Sequence, residues 1–282
     1  MMAGGLGAFS PEDGSLWRTL AACGIWAVLL NGGTLALNSA VDKDDGDVGY
    51  LNNPPPLPRG LGVFGTTLML LGAVASWFLG TAFFVVYLVC FVMSWLYSVP
   101  PARLKARGGW DVVINMIGYG ALTCLAGWLA VAPRPLGTDW LIFAGFAFLF
   151  AAVYPMTQFY QREEDRRKGA QTLAIVLGDR GSMLFIHAAL LLANLSWFVA
   201  ACGRMGADWI PMSLNSGVTP APGMVGWAAL AAQAVLWFAF SADWWARFDR
   251  YPHQKGLYRS MVLWAFSNLS LILVFGEFTW KR

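Results

Sequence analysis

Asn38 and Asp42 stand four residues apart at the end of a long apolar segment, and Asp44, Asp45 and Asp47 follow closely. On a helical end, positions i and i+4 share one face, and Asp45, three residues further, continues it. Gln161, Glu164 and Asp165 take the i, i+3, i+4 spacing at the end of another apolar segment, among Arg162, Arg166, Arg167 and Lys168. Oxygen donors in this arrangement suit Mg2+, which binds through one or two carboxylates, waters and substrate phosphates. Crowded carboxylates repel one another unless a cation neutralises them. Taken singly, each cluster also fits a solvated, salt-bridged surface. The rest of the chain is apolar and poor in carboxylates, so two such patches call for a common cause.

Between them lies Tyr97-Ser98-Val99-Pro100-Pro101-Ala102-Arg103-Leu104-Lys105-Ala106-Arg107-Gly108. Two prolines stop a helix here and three basic residues follow. Arg103 and Lys105 can hold phosphate oxygens, arginine in a bidentate fork. Membrane anchoring by positive charge would account for the basic residues. It would not account for Tyr-Ser-x-Pro-Pro.

The elements that must position these residues are membrane helices. The 282 residues are 57% hydrophobic and 12% charged, with a mean hydropathy of +0.54, whereas a soluble domain carries about 25% charged residues. A helix needs about 20 apolar residues to span the hydrocarbon core. Eight segments qualify, near 17–37, 61–79, 82–99, 111–132, 139–158, 182–202, 223–245 and 259–278, with Gly80-Thr81 as the turn between the second and third. Helices are required because lipid offers no partner to open backbone groups. The fold class is therefore an all-α polytopic membrane bundle of one domain over 1–282. Connecting eight spans places the loops after spans one, three, five and seven on one side. That side holds all of the 19 Lys and Arg residues except Arg18, Arg134, Arg204, Lys281 and Arg282. The positive-inside rule makes it cytoplasmic, and both acidic clusters lie on it.

Other chemistries find little support. Cys23, Cys90, Cys124 and Cys202 are scattered through predicted spans without ligand spacing, and His187 and His253 are isolated, so disulfides, zinc and haem are not expected. Met1 to Ser10 lack a basic n-region and an apolar h-region, so no cleavable signal is expected. Ser10-Pro11-Glu12-Asp13 reads as a helix start. The basic residues follow the membrane topology, and no nucleic-acid partner is expected. A cation-coupled transporter would place carboxylates near the midplane and show paired broken helices; here the acids sit at span ends on one side.

Together these segments resemble the UbiA superfamily of intramembrane prenyltransferases. That family carries an NxxxDxxxD motif after an early helix and a second acidic motif, typically DxxxD, several helices later with a Gly and a Thr-Leu/Ala-x-x-x-Gly tail. Asn38 and Asp42 match the first. Glu164 and Asp165, with Gly169, Thr172 and Gly178, match the second. The stretch from Tyr97 to Lys105 is similar to that of chlorophyll-synthase-like and lipid-prenylating members. The chain departs from the pattern in four places. Gly46 stands where the first motif ends in an acid, leaving Asp45, Asp47 or Asp44 to replace it. Gln161 stands where the second begins with one. Pro54-Pro55-Pro56-Leu57-Pro58-Arg59-Gly60 replaces the family's Asn-Arg-Pro stretch, leaving Arg59 to substitute. The family usually has one more helix, before the first motif.

The resemblance implies a helical bundle around a central cavity, capped by cytoplasmic loops and open sideways to membrane lipid. A polyprenyl diphosphate would be the substrate and Mg2+ the cofactor, held by Asn38, Asp42, Asp45, Gln161, Glu164 and Asp165. Arg59, Arg103, Lys105 and Lys168 would bind the diphosphate, with Asp42, Asp165, Arg103 and Lys105 the catalytic set. The allylic cation left after ionisation would pass to a lipophilic acceptor: an aromatic ring, quinone precursor, chlorin or lipid hydroxyl. In another branch of the superfamily no acceptor is used and the prenyl chain cyclises on itself. Both outcomes fit the residues.

Overall fold

The computed structural model describes residues 15–42, 56–132, 134–208 and 224–275. Among them lie eight long helical rods and one short helix in an all-α membrane bundle. They are α1 (Leu16–Asp42), α2 (Leu61–Trp77), α3 (Thr81–Ser98), α4 (Trp110–Leu129), α5 (Asp139–Gln158), a short α6 (Arg162–Arg167), α7 (Leu173–Asp208), α8 (Met224–Ala246) and α9 (His253–Phe275). Seven are long and apolar enough to cross a membrane; α2, with 17 residues, is apolar but shorter. Their outward faces are apolar, with Val63, Phe78, Val74, Leu191, Val225 and Val262 all exposed, as a lipid-facing surface requires.

Two packing clusters build the bundle, and α4 belongs to both. The first joins α1, α2 and α3 around Trp26, Met69, Phe83 and Tyr87, reaching Ala126 of α4 and Ala130 just past its end. The second surrounds α5, the most buried rod, and gathers α7, α8 and α9. Close approach in membranes relies on small residues, and both clusters use them. A Cβ on Gly65 would meet Gly33 O at 2.6 Å and Leu37 N at 2.8 Å, so α1 and α2 touch backbone to backbone. A Cβ on Gly120 would meet Ala147 Cα at 2.6 Å, where a π-helical stretch of α4, Met116–Leu122, lies on α5. The α1–α2 contact sits one turn before Asn38 and fixes the direction in which α1 delivers Asn38 and Asp42.

Away from the helix ends, Gln233 donates to Asn194 Oδ1 at 2.5 Å and accepts from Ser267 Oγ at 3.0 Å, while Trp237 Nε1 donates to Ser267 at 2.8 Å. This satisfied polar set ties α7, α8 and α9 together where lipid cannot.

The connections sort by end as the alternating topology requires. At one end Arg18 caps open carbonyls, donating to Ala130 O at 2.7 Å and to Leu79 O. At the other, Gln171 N donates to Ala106 O at 3.0 Å, and Phe159 packs edge-on against Phe248 at 5.0 Å. The end of α1, through the Asp42–Lys105 ion pair, and the chain segments after α3, α5 and α8 thus meet at one end of the bundle. Two helices begin earlier than hydropathy indicates. α7 starts at Leu173 rather than 182 with a short helical turn that precedes the break at Gly178, and Asp179, where its long span opens, pairs with Arg162. α9 starts at His253, whose ring accepts from Trp244 Nε1 at 2.9 Å and closes the α8–α9 turn.

Candidate active site

Asn38 and Asp42 lie inside the last two turns of α1, which carries on past the predicted boundary of 37. Both face the basic turn after α3. Lys105 Nζ donates to Asn38 Oδ1 at 2.7 Å and forms an ion pair with Asp42. Ser98 Oγ donates to the same Asn38 oxygen at 3.1 Å. Arg103 Nη2 lies 3.5 Å from Asp42 Oδ1. The turn itself is tight: Val99 ends α3 in an extended conformation, and Arg103 adopts φ 36°, a left-handed conformation uncommon for a side-chain-bearing residue. Such outliers are held by their surroundings and concentrate at ligand clamps.

The second acidic segment forms α6. Asp165 N donates to Gln161 O at 2.9 Å, so Gln161, Glu164 and Asp165 share a face as their spacing predicts. Lys168 Nζ pairs with Glu164 at 2.8 Å. Gly169 (φ 70°) turns the chain out of this helix. Gly178 (φ 64°, ψ −174°) breaks α7 between a first short turn and its long span, in a region open essentially to glycine alone. The glycine tail of the motif is thereby a backbone requirement.

One cavity of about 260 Å³ unites these segments. Asn38 and Asp42 line it from α1, Arg103 and Lys105 from the turn, and Gln161, Glu164, Asp165 and Lys168 from α6 and its exit. Arg59 is exposed just before α2 and is not among the lining residues. Asp45, like Asp44 and Asp47, lies outside the described residues. Tyr97, Tyr154, Thr157, Gln158, Tyr160 and Thr172 complete the wall. A hydrogen bond between two tyrosines on different spans, Tyr97 and Tyr154 at 2.7 Å, leaves no mark in spacing.

Two enclosed polar atoms here lack a hydrogen-bond partner in the protein, Arg103 Nε and Thr172 Oγ1. Both can donate, and buried donors are rarely left orphaned; an anion in the cavity would satisfy them. Among the described residues no three His, Cys, Asp or Glu side chains converge into a protein-only metal cage. The carboxylates instead come from separate elements, Asp42 from α1 beside Lys105, and Glu164 from α6 beside Lys168 with Asp165 next to it in sequence. That suits Mg2+, which keeps waters and shares phosphate oxygens rather than filling a cage. Asn38, Asp42, Gln161, Glu164 and Asp165 are the hard oxygen donors on the cavity wall that could hold it.

Below the polar cavity, Tyr154 and Thr157 are shared with an apolar one of about 230 Å³ between α4, α5 and α9. Its wall carries a ladder of rings: Tyr119 stacks on Phe150 at 5.5 Å, Phe150 on Tyr154 at 6.3 Å, and Trp264 meets Phe150 edge-on at 5.4 Å.

The model of the UbiA prenyltransferase family matches residues 1–264. The chain is 32% identical over 151 residues, half of each chain, to the bacteriochlorophyll synthase 33 kDa chain of Rhodobacter capsulatus. It is 25% identical over 278 residues to the protoheme IX farnesyltransferase of Chloroflexus aurantiacus, covering 92% of this chain and 41% of that one. The chain thus spans about half the length, or less, of the curated relatives it matches. Among solved structures, a UbiA homologue from Archaeoglobus fulgidus bound to GPP and Mg2+ superposes with a TM-score of 0.63 at 17% identity, over 97% of this chain and 94% of that one. A digeranylgeranylglyceryl phosphate synthase superposes with a TM-score of 0.66 at 16% identity, over 97% and 90%. With its two acidic segments gathered on one cavity and the family model spanning nearly all its length, the chain belongs to the UbiA prenyltransferase family.

Proposed function

We propose that this cavity ionises a polyprenyl diphosphate inside the membrane and hands the prenyl group to a lipophilic acceptor. The observation that carries this reading is the union of three distant segments, 38–42, 103–105 and 161–168, around one polar cavity that shares its floor with an apolar one. The diphosphate would sit among Arg103, Lys105, Lys168 and Thr172, and the prenyl tail would pass Tyr154 into the aromatic-walled space. Mg2+, held by Asn38, Asp42, Gln161, Glu164 and Asp165, would act as a Lewis acid on the leaving group.

The C1–O bond of the allylic diphosphate breaks and its electron pair leaves with diphosphate. Fixed cations aimed at that developing charge favour the step. Lys105 and Arg103 are pre-positioned for it, because Asn38, Ser98 and Asp42 hold the turn they occupy. The allylic cation then faces ring π-systems, each worth roughly 2 kcal/mol when desolvated. A nucleophilic carbon or oxygen of the acceptor forms the new bond and releases a proton. The aromatic ladder supports a second reading, a cyclase in which the prenyl chain's own double bonds capture the cation.

Purified protein incubated with geranyl diphosphate and Mg2+ separates the two: a cyclic hydrocarbon without added acceptor supports the cyclase, and turnover only with acceptor supports transfer. Asp42→Ala and Asp165→Ala should each abolish diphosphate release while the protein still inserts and keeps its thermal transition. Full activity in both would refute the shared-site reading. The loops at this end are proposed to face the cytoplasm, a placement that accessibility labelling of Arg103→Cys in oriented vesicles would test.

A further inference from the structure

We propose that Asp111 is a positioning residue that pins both ends of the acidic segment 159–172, and so sets the affinity of the site for Mg2+ and diphosphate. This rests on the reading of the cavity given above. Asp111 is the second residue of α4, fully buried, and not part of the cavity wall. Its Oδ1 accepts from its neighbour Val112 N at 2.9 Å. Its Oδ2 accepts from Gln158 Nε2 at 2.7 Å and from Leu173 N at 2.8 Å. Gln158 in turn accepts from Ala174 N at 3.0 Å. Gln158 is the last residue of α5 and Leu173 the first of α7, so a single carboxylate holds both ends of the stretch that carries Gln161, Glu164, Asp165 and Lys168. The far end is further fixed to the basic turn by the Gln171–Ala106 bond. At Gly108 a Cβ would strike Val176 at 2.6 Å and Gln171 O at 2.8 Å, so turn and segment are in backbone contact.

The chemistry demands a carboxylate. All three side-chain partners are N–H donors, and only an ionised acid presents acceptors alone. Asparagine would turn an NH2 group toward at least one of them. A buried carboxylate is costly unless fully bonded, so its presence at this junction, with both oxygens bonded, points to a task beyond filling space. Ligand sets tolerate little displacement, and partners one step behind metal ligands change metal affinity by roughly 10–100-fold when mutated.

Asp111→Asn tests this against Gln233→Leu, which breaks the other buried polar set, remote from the cavity. Hydrogen exchange without ligand should speed up in Asp111→Asn across 159–174 alone, and in Gln233→Leu not there. With geranyl diphosphate, the Mg2+ concentration for half-maximal diphosphate release and KM should each rise roughly 10-fold or more, with a smaller change in kcat; Gln233→Leu should move neither. If Asp111→Asn does not accumulate, Gln158→Met should give the same exchange signature. Wild-type exchange over 159–174 in Asp111→Asn, or an equal Mg2+ shift in both variants, overturns the proposal. Failure of the wild type to turn over any prenyl diphosphate would instead count against the function, leaving the exchange comparison to decide on Asp111.

Discussion

Lys105 reaches across from the α3–α4 turn to Asn38 on α1, donating to its side-chain oxygen at 2.7 Å and pairing with Asp42 one turn further on. A basic residue 67 positions away thus ties down the first acidic motif. The same lysine presents charge to the cavity, so its removal should weaken both functions. Lys105→Gln is expected to raise KM for geranyl diphosphate by about 10- to 100-fold, the range of a lost charge-assisted hydrogen bond of roughly 1.5–3 kcal/mol. Steady-state diphosphate release checks it; an unchanged KM would remove Lys105 from the binding set.

Thr172 offers a cleaner separation of binding from stability. Its hydroxyl is buried without a protein partner, so folding gains nothing from it, and burying an unpaired hydroxyl is unfavourable. Thr172→Val should leave the thermal midpoint in detergent unchanged or raised, while KM for the diphosphate rises about 5-fold, near 1 kcal/mol. A lowered midpoint with unchanged KM would contradict this assignment.

The α1–α2 contact should behave as a positioning device with a stability cost. Gly65→Ala places a methyl group against backbone atoms of Gly33 and Leu37, which cannot swing away as a flexible side chain could. Overpacking of this kind costs about 1–3 kcal/mol. Thermal unfolding in detergent should show that loss, and diphosphate release should fall with it because Asn38 and Asp42 ride on the displaced helix.

Trp264 meets the aromatic ladder at the end of the apolar cavity. Trp264→Ala deepens that cavity, so kcat/KM for geranylgeranyl diphosphate should rise relative to geranyl diphosphate, by about 10-fold for 1.4 kcal/mol of added contact. Competition between the two donors reads the ratio directly, and an unchanged ratio would place the tail elsewhere.

The sequence made the spans, their alternation and the polar clusters legible because each is a local signal: apolar length, charge asymmetry, spacing along one helix face. Asn38 and Asp42 at i and i+4 do share a face, and Gln161, Glu164 and Asp165 do share another. Tertiary pairings were not legible. Asp111 looked like the edge of an apolar run, although a lone acid opening a membrane helix is the kind of residue that marks a buried partner. Gln158, Thr172 and the Tyr97–Tyr154 pair gain meaning only when α3, α5 and α7 meet. Arg59 looked like a replacement for a missing arginine by its place after the first motif, yet proximity in sequence did not bring it to the cavity wall.

The two acidic segments are expected to grip one metal–diphosphate unit between them. Crystals grown with Mn2+ and geranyl diphosphate test it most directly, through the anomalous map. Mn2+ peaks are expected in the cavity between Asp42 of α1 and Asp165 of α6, with diphosphate oxygens between them and Lys105 and Arg103 in contact. Ordered diphosphate bound away from these residues, or Mn2+ on one segment alone with the diphosphate elsewhere, would contradict it.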